Sequence, residues 1–157
     1  MGVDIYIGID LGTQSTKAVA IALPQDGGRA EIFVQSDSHK YDITSTRPGM
    51  AEQSPAGWID AGVAAIRQVV ERTNAECESR GCGSAVFGGV GCAGQQHGLV
   101  VLDEHKQVIR PAKLWCDTES DAEAKELGQP GPAFTATKLL WLKVRVRAHR
   151  SIASDRL

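Results

Sequence analysis

The sequence predicts a mixed α/β domain that opens with an antiparallel meander of three strands. Two patterns carry this. Short apolar, β-branched runs near the N-terminus are separated by turn residues. A long helical-period stretch then begins behind a Ser-Pro pair. Val3 to Asp10 reads as the first strand, with Ile5, Ile7 and Ile9 alternating with Tyr6 and Gly8. A Gly-Thr-Gln-Ser turn follows, then a second strand from Lys17 to Leu23. Pro24 to Gly28 is a turn, and Ala30 to Ser36 alternates as a third strand.

Tyr41 to Gln53 reads as irregular, around Pro48-Gly49. Ser54 as N-cap and Pro55 at the first helical position start a helix. Its apolar face is Ala61, Ala65, Ile66, Val69 and Val70, and it should run to about Cys77 and end near Gly81. Ala85 to Val90 reads as a buried strand, and Leu99 to Ile109 as a hairpin turning at Asp103-Glu104. Thr118 to Leu127 should be helical with Thr118 as N-cap, Gly128 to Pro132 breaks it, and Thr135 to Val144 is helical again.

The chain has 157 residues, enough for a real core and short for a two-domain enzyme. Seventeen basic against nineteen acidic residues give a net charge of −2, which argues against a protein built on a strong positive field for nucleic acid. No apolar run reaches the roughly 20 residues of a membrane helix, and no basic leader opens the chain. Cys77, Cys82, Cys92 and Cys116 form no CxxC pair, and no histidines stand at zinc spacing. Scattered reduced thiols and a cytoplasmic setting are expected.

Three glycine-bearing stretches compete as sites. The first is Asp10-Leu11-Gly12-Thr13-Gln14-Ser15-Thr16-Lys17, with glycine, hydroxyls and a cation at a strand end. Such a turn can wrap a phosphate, and Asp10 can hold Mg²⁺ directly or through water. It is not a Walker loop, because no Gly precedes Lys17 and a strand follows. A plain hairpin turn with a solvated Asp10 fits the same residues. The second, Gly89-Val90-Gly91-Cys92-Ala93-Gly94, is a literal G-x-G-x-x-G, but the strand-like Leu99 to Leu102 follows where a dinucleotide site needs a helix. The third, Gly94-Gln95-Gln96-His97-Gly98, places two amides and an imidazole at a strand exit, a donor and acceptor set suited to a sugar. A polar turn capping its own backbone is the plainer reading.

Taken together, these stretches resemble a family. Residues 7–17 are similar to the first phosphate motif of the FGGY carbohydrate kinases, which belong to the actin-like ATPase superfamily with a ribonuclease H-like fold. Met50-Ala51-Glu52-Gln53-Ser54-Pro55 with Trp58 is similar to that family's W/A-E-Q-x-P-x-x-W segment. Residues 92–98, Leu102-Asp103, Arg110-Pro111-Ala112, Leu114 to Asp117 and Phe134 to Trp141 resemble its xylulose-specific members. The likeness covers about residues 3–143.

The resemblance implies an α/β ribonuclease H-like N-terminal domain that is incomplete. It implies ATP and Mg²⁺ as cofactors and a sugar, D-xylulose, as substrate. Asp10 maps to the residue that assists metal and phosphate placement, and Gly12, Thr13, Gln14, Ser15 and Lys17 to the phosphate loop. Gln96 and His97 map to the sugar-contacting Met-His pair, with Gln in place of Met, and Trp115 and Asp117 map near the sugar pocket. Nothing here resembles the family's catalytic base segment. The chain therefore reads as about the first third of a kinase, and a non-catalytic sugar- or partner-binding fragment is the alternative. An uncovered sheet face would favour self-association. Residues 144–157 depart from the family as a basic end, read as disordered or as a phosphate- or RNA-binding arm.

Overall fold

The computed structural model describes residues 3–25 and 27–154. In chain order the elements are β1 (Val3–Leu11), β2 (Ser15–Pro24), β3 (Glu31–Gln35), β4 (His39–Lys40), β5 (Glu52–Gln53), α1 (Pro55–Arg80), β6 (Val86–Gly94), β7 (Ala112–Lys113), α2 (Asp121–Glu126) and α3 (Thr135–Ser154). They fall into two compact units. One comprises Met1–Asp42 and Ala56–Gln95, the other Ile43–Pro55 and Gln96–Leu157.

The first unit is built on a five-stranded sheet of order β3-β2-β1-β6, with β4 also paired to β2. β1 to β3 form the antiparallel meander that the sequence predicts. β6 lies parallel to β1, and the chain reaches it over α1. Alternation sorts the strand residues to two faces. Ile5, Ile7, Ala18, Ala20 and Ala22 point one way and cluster with Phe33 and with Ala65, Val69 and Cys77 of α1. The helix starts at Pro55 and ends in Gly81 (φ +67°), as the start and stop signals imply. Its buried stripe is Ala61, Ala65, Val69, Thr73 and Cys77. This is one residue per turn, while Ile66 and Val70 are half-buried beside it.

The expected buried strand at Ala85 to Val90 is instead β6, and it is largely exposed. The reason is positional. β6 is an edge strand, and the core cluster gathers under β1, β2 and β3. Val86 and Val90 are accordingly 59% and 63% exposed. Gly88 sits in a register shift between β1 and β6, where a Cβ would stand 2.8 Å from the Tyr6 ring. A larger residue there would have to displace the end of the Tyr6 side chain.

The strands of the second unit are short. β5 and β7 pair antiparallel, and single bridges at Thr44–Glu52 and Leu99–Lys113 widen the ladder. The expected hairpin forms around Asp103 to Lys106, closed by a Leu102–Val108 bridge. The expected N-cap at Thr118 is displaced, because α2 begins at Asp121 behind Ser120. Thr118 instead donates its N–H to Gly49 O at 2.8 Å, and the Ser120 hydroxyl pairs with Thr137 Oγ1 at 3.0 Å. α3 does not stop at Val144 but continues through the basic stretch to Ser154. Arginine and alanine there are good helix formers, and no Gly or Pro interrupts them. Among the described residues no helix is long and apolar enough to cross a membrane.

Candidate functional site

The sequence-nominated residues are divided between the two units. Asp10, Gly12, Thr13, Gln14, Ser15 and Lys17 belong to the first, and Gln96, His97, Trp115 and Asp117 to the second.

In the first unit Asp10 ends β1 and faces Lys17 directly across the antiparallel pair. Both point away from the core face, since their neighbours Ile9 and Thr16 point into it. They line an open cavity of about 500 Å³ with Gly8, Val19, Gly91, Cys92 and Ala93. Gly8 and Gly91 leave bare backbone in its lining, beside the Val19 side chain. A Cβ on Gly91 would meet nothing within 4 Å, and one on Gly8 would reach Val19 at 3.3 Å. The turn from Gly12 to Ser15 closes on a Gly12 N–H to Ser15 O hydrogen bond of 3.0 Å. Tyr41 fastens it from outside. Its hydroxyl donates to Gly12 O, and its N–H donates to Gln14 O at 3.2 Å. Sequence reasoning missed Tyr41, which lies in a segment without periodicity.

This donor set fits a nucleotide's phosphates with Mg²⁺. Asp10 offers an exposed carboxylate for a hard cation, Lys17 a positive charge, and the bare backbone at Gly8 and Gly91 permits close approach. The G-x-G-x-x-G of residues 89–94 lies wholly inside β6 and opens no helix, so the dinucleotide reading falls away.

In the second unit His97 and Gln96 are exposed on the loop after β6. His97 has φ 61°, a left-handed conformation uncommon outside glycine. Its ring stacks, tilted, on Phe134 at 5.0 Å between centroids. Phe134 was legible only as part of the Phe134–Trp141 stretch, with no hint that it packs on the imidazole. Trp115 is 47% exposed. Asp117, two residues on, is fully buried. Its Oδ2 accepts from Ala51 N at 2.9 Å and from the Lys113 ammonium at 2.8 Å, and its Oδ1 accepts from Glu119 N at 3.2 Å.

Asp117 is therefore a node of an ion network. Lys113 Nζ is also 3.4 Å from Glu52 and 2.6 Å from Glu119. Arg110 pairs with Glu52, and Arg47 with Glu119 at 2.6 Å. Trp141 lies beneath, its ring 4.2 Å from Lys113 Nζ and 5.0 Å from Arg145 Cζ. Burial pushes the Glu119 carboxyl up, but hydrogen bonds from Arg47 and Lys113 outweigh it and hold the group below its ordinary value. Glu52, Asp117 and Glu119 converge like metal ligands, yet the Lys113 ammonium already stands among them. The arrangement is an ion pair network rather than a metal centre.

Lys138 is a second fully buried ammonium. It donates to Pro132 O at 2.8 Å and also to Ala133 O and Phe134 O, so it ties down the turn that carries Phe134. Burial pushes it down to about 8.

An antiparallel meander joined by a helix crossover to a parallel fourth strand, with a carboxylate at the first strand's end, defines a ribonuclease H-like domain of the actin-like ATPase class. The family model for the N-terminal domain of the FGGY carbohydrate kinases matches residues 5–154. The chain belongs to that family. It is 32% identical to a xylulose kinase of Haemophilus influenzae over 88% of its own length and 30% of that protein's. It is 34% identical to a xylulose kinase of Streptomyces rubiginosus, over 94% of this chain and 31% of that one. Among solved structures, a xyloylose kinase from Brucella ovis superposes with TM-score 0.70 and 33% identity, over 92% of this chain and 30% of that one. The chain thus spans about a third of the length of the relatives it matches.

Proposed function

We propose that the chain is the N-terminal part of an ATP-dependent kinase that phosphorylates a hydroxyl of D-xylulose. The observation that carries this is the Asp10–Lys17 pair beside Gly8 and Gly91 at the end of β1. The sugar's identity is supported by the relatives' shared name, xylulose kinase.

In this reading Asp10 holds Mg²⁺, and Gly12, Thr13, Gln14 and Ser15 with Lys17 hold the phosphates. Mg²⁺ and ATP supply the transferable phosphoryl group and neutralise charge on it when bound. Gln96, His97 and Trp115 bind the sugar. His97 orients a hydroxyl by hydrogen bonding, its ring direction set by Phe134 and by the left-handed backbone. Asp117 contributes by fixing the loop that presents Trp115. Catalysis of this type is mostly positioning, with a carboxylate taking the hydroxyl proton. Nothing in the chain resembles the family's base segment, so this chain's share is binding and orientation.

Isothermal titration of the chain with D-xylulose tests the sugar half. Heat at millimolar sugar, lost in His97→Ala and retained in Lys17→Ala, is expected. No heat at millimolar D-xylulose overturns the assignment, and equal heat with glycerol or gluconate overturns the choice of sugar. A coupled assay of ADP formation tests the division of labour. Turnover by the chain alone, abolished by Asp10→Ala, would overturn the restriction to binding and orientation.

A further inference from the structure

Cys77 and Cys82, which no part of the kinase reading uses, are not as scattered as their spacing suggests. Helix α1 ends in a Schellman motif. Gly81, at φ +67°, donates its N–H to Glu78 O at 3.2 Å, and Cys82 donates its N–H to Cys77 O at 3.0 Å. This closure folds the chain back so that the second residue past the helix meets one in its last turn. In this motif two apolar side chains frequently meet there. Here both are cysteines.

Cys82 packs against the apolar cluster that contains Cys77, and the two side chains are neighbours. Burial, with the neighbouring Cys82 thiol, pushes the Cys77 thiol up. The two differ in access: Cys77 is 2% exposed and Cys82 half-buried. A cavity of about 490 Å³ opens beside Cys77, walled also by Asn74, Glu78, Gly81, Gly83 and Ser84. Cys82 stands between Gly81 and Gly83, both at positive φ and neither with anything within 4 Å of a Cβ. Cys92 has no such companion: its thiol donates to the adjacent Ala93 O at 3.7 Å.

We propose that Cys77 and Cys82 are a dithiol modification site that closes to an intrachain disulfide on meeting a low-molecular-weight disulfide such as oxidised glutathione. The more accessible Cys82 thiolate attacks one sulfur of the oxidant, forming a mixed disulfide and expelling one thiolate. Cys77 then gives up its proton and attacks Cys82 Sγ. The Cys77–Cys82 bond forms, the mixed disulfide breaks, and the second thiolate leaves. The pair loses two electrons and two protons, and the oxidant is reduced to two thiols. The bond staples the end of α1 to the segment that enters β6.

The test uses the whole chain, incubated with oxidised glutathione, acid-quenched, alkylated and digested with trypsin. Cleavage after Arg80 separates Cys77, in residues 73–80, from Cys82, in residues 81–106. In the Cys92→Ser chain a linked pair of these peptides is expected. In the same Cys92→Ser chain the three free thiols, counted after denaturation, should fall to one. Dithiothreitol should restore all three. Cys82→Ser, a change at the half-buried position, should lose the link and keep its remaining thiols. A glutathione adduct that persists on Cys82, an unchanged thiol count, or the same thiol loss in Cys82→Ser would each overturn the proposal.

Discussion

The two units hold themselves together by opposite means. In the first, a sheet and one helix bury Ile5, Ile7, three alanines of β2, Phe33 and Val69. In the second, the largest fully buried side chains are Lys113 and Lys138, with Leu114, Gln53, Thr137 and Asp117. An apolar interior tolerates truncation in proportion to the volume lost. A charged one does not, because removing a single partner strands the others in a dry setting. The difference teaches which unit is the more fragile, and it can be tested residue by residue.

The largest effect is expected from Lys113→Met. Three carboxylates share this ammonium, so its loss should cost about 3–5 kcal/mol. Amide hydrogen exchange should locate that loss at β5, β7 and the Leu114–Glu119 turn. If the variant instead matches the wild type in stability, the network is decorative and the comparison fails. Ile5→Ala in β1 should cost about 2–4 kcal/mol in urea unfolding, with the loosened exchange in β1, β2 and α1.

A smaller effect, and one that sharpens the contrast, comes from Lys138. Its folded value of about 8 lies below the ordinary 10.5, so the unfolded chain binds more protons between them. Stability should therefore rise with pH across this window, by on the order of 1–3 kcal/mol. Comparing stability against pH with Lys138→Met isolates this from other groups, because the rise attributable to Lys138 should vanish. An identical slope in both chains would mean that Lys138 does not titrate there. The smallest effect is expected for Tyr41→Phe, which removes the hydroxyl bond to Gly12 O. A loss of about 1 kcal/mol is expected, with faster exchange in residues 12–15.

Much of the first unit was legible because its strands alternate in β-branched residues and its helix carries its own stop signal. Gly81 announced the end of α1, and Lys17 to Leu23 announced β2. The burial of β6 was misread for a physical reason. An apolar run such as Ala85 to Val90 reports how a strand is able to pack, whereas its cover depends on which neighbours the topology supplies. Thr118 was misread as a cap because Thr and Ser are both cap-forming residue types, and the helix begins later, behind Ser120. Of the candidate site, the motif residues were visible in the sequence, Phe134 and Lys138 among them as members of the Phe134–Trp141 stretch, while Tyr41 was not. Tyr41 reaches Gly12, 29 residues away, and Phe134 reaches His97, through contacts that no local pattern encodes.

The sequence by itself determined the order of the longer strands and helices and the motifs at residues 7–17 and 92–98, and through them the family. These follow from short-range periodicity and from spacing along one segment. Only the tertiary structure decided that Asp10 faces Lys17 and that Asp117 is buried in an ion network while Trp115 lies open. It also decided that Cys77 and Cys82 meet. Each of these depends on strand register or chain reversal, which bring together residues whose local sequences carry no record of one another.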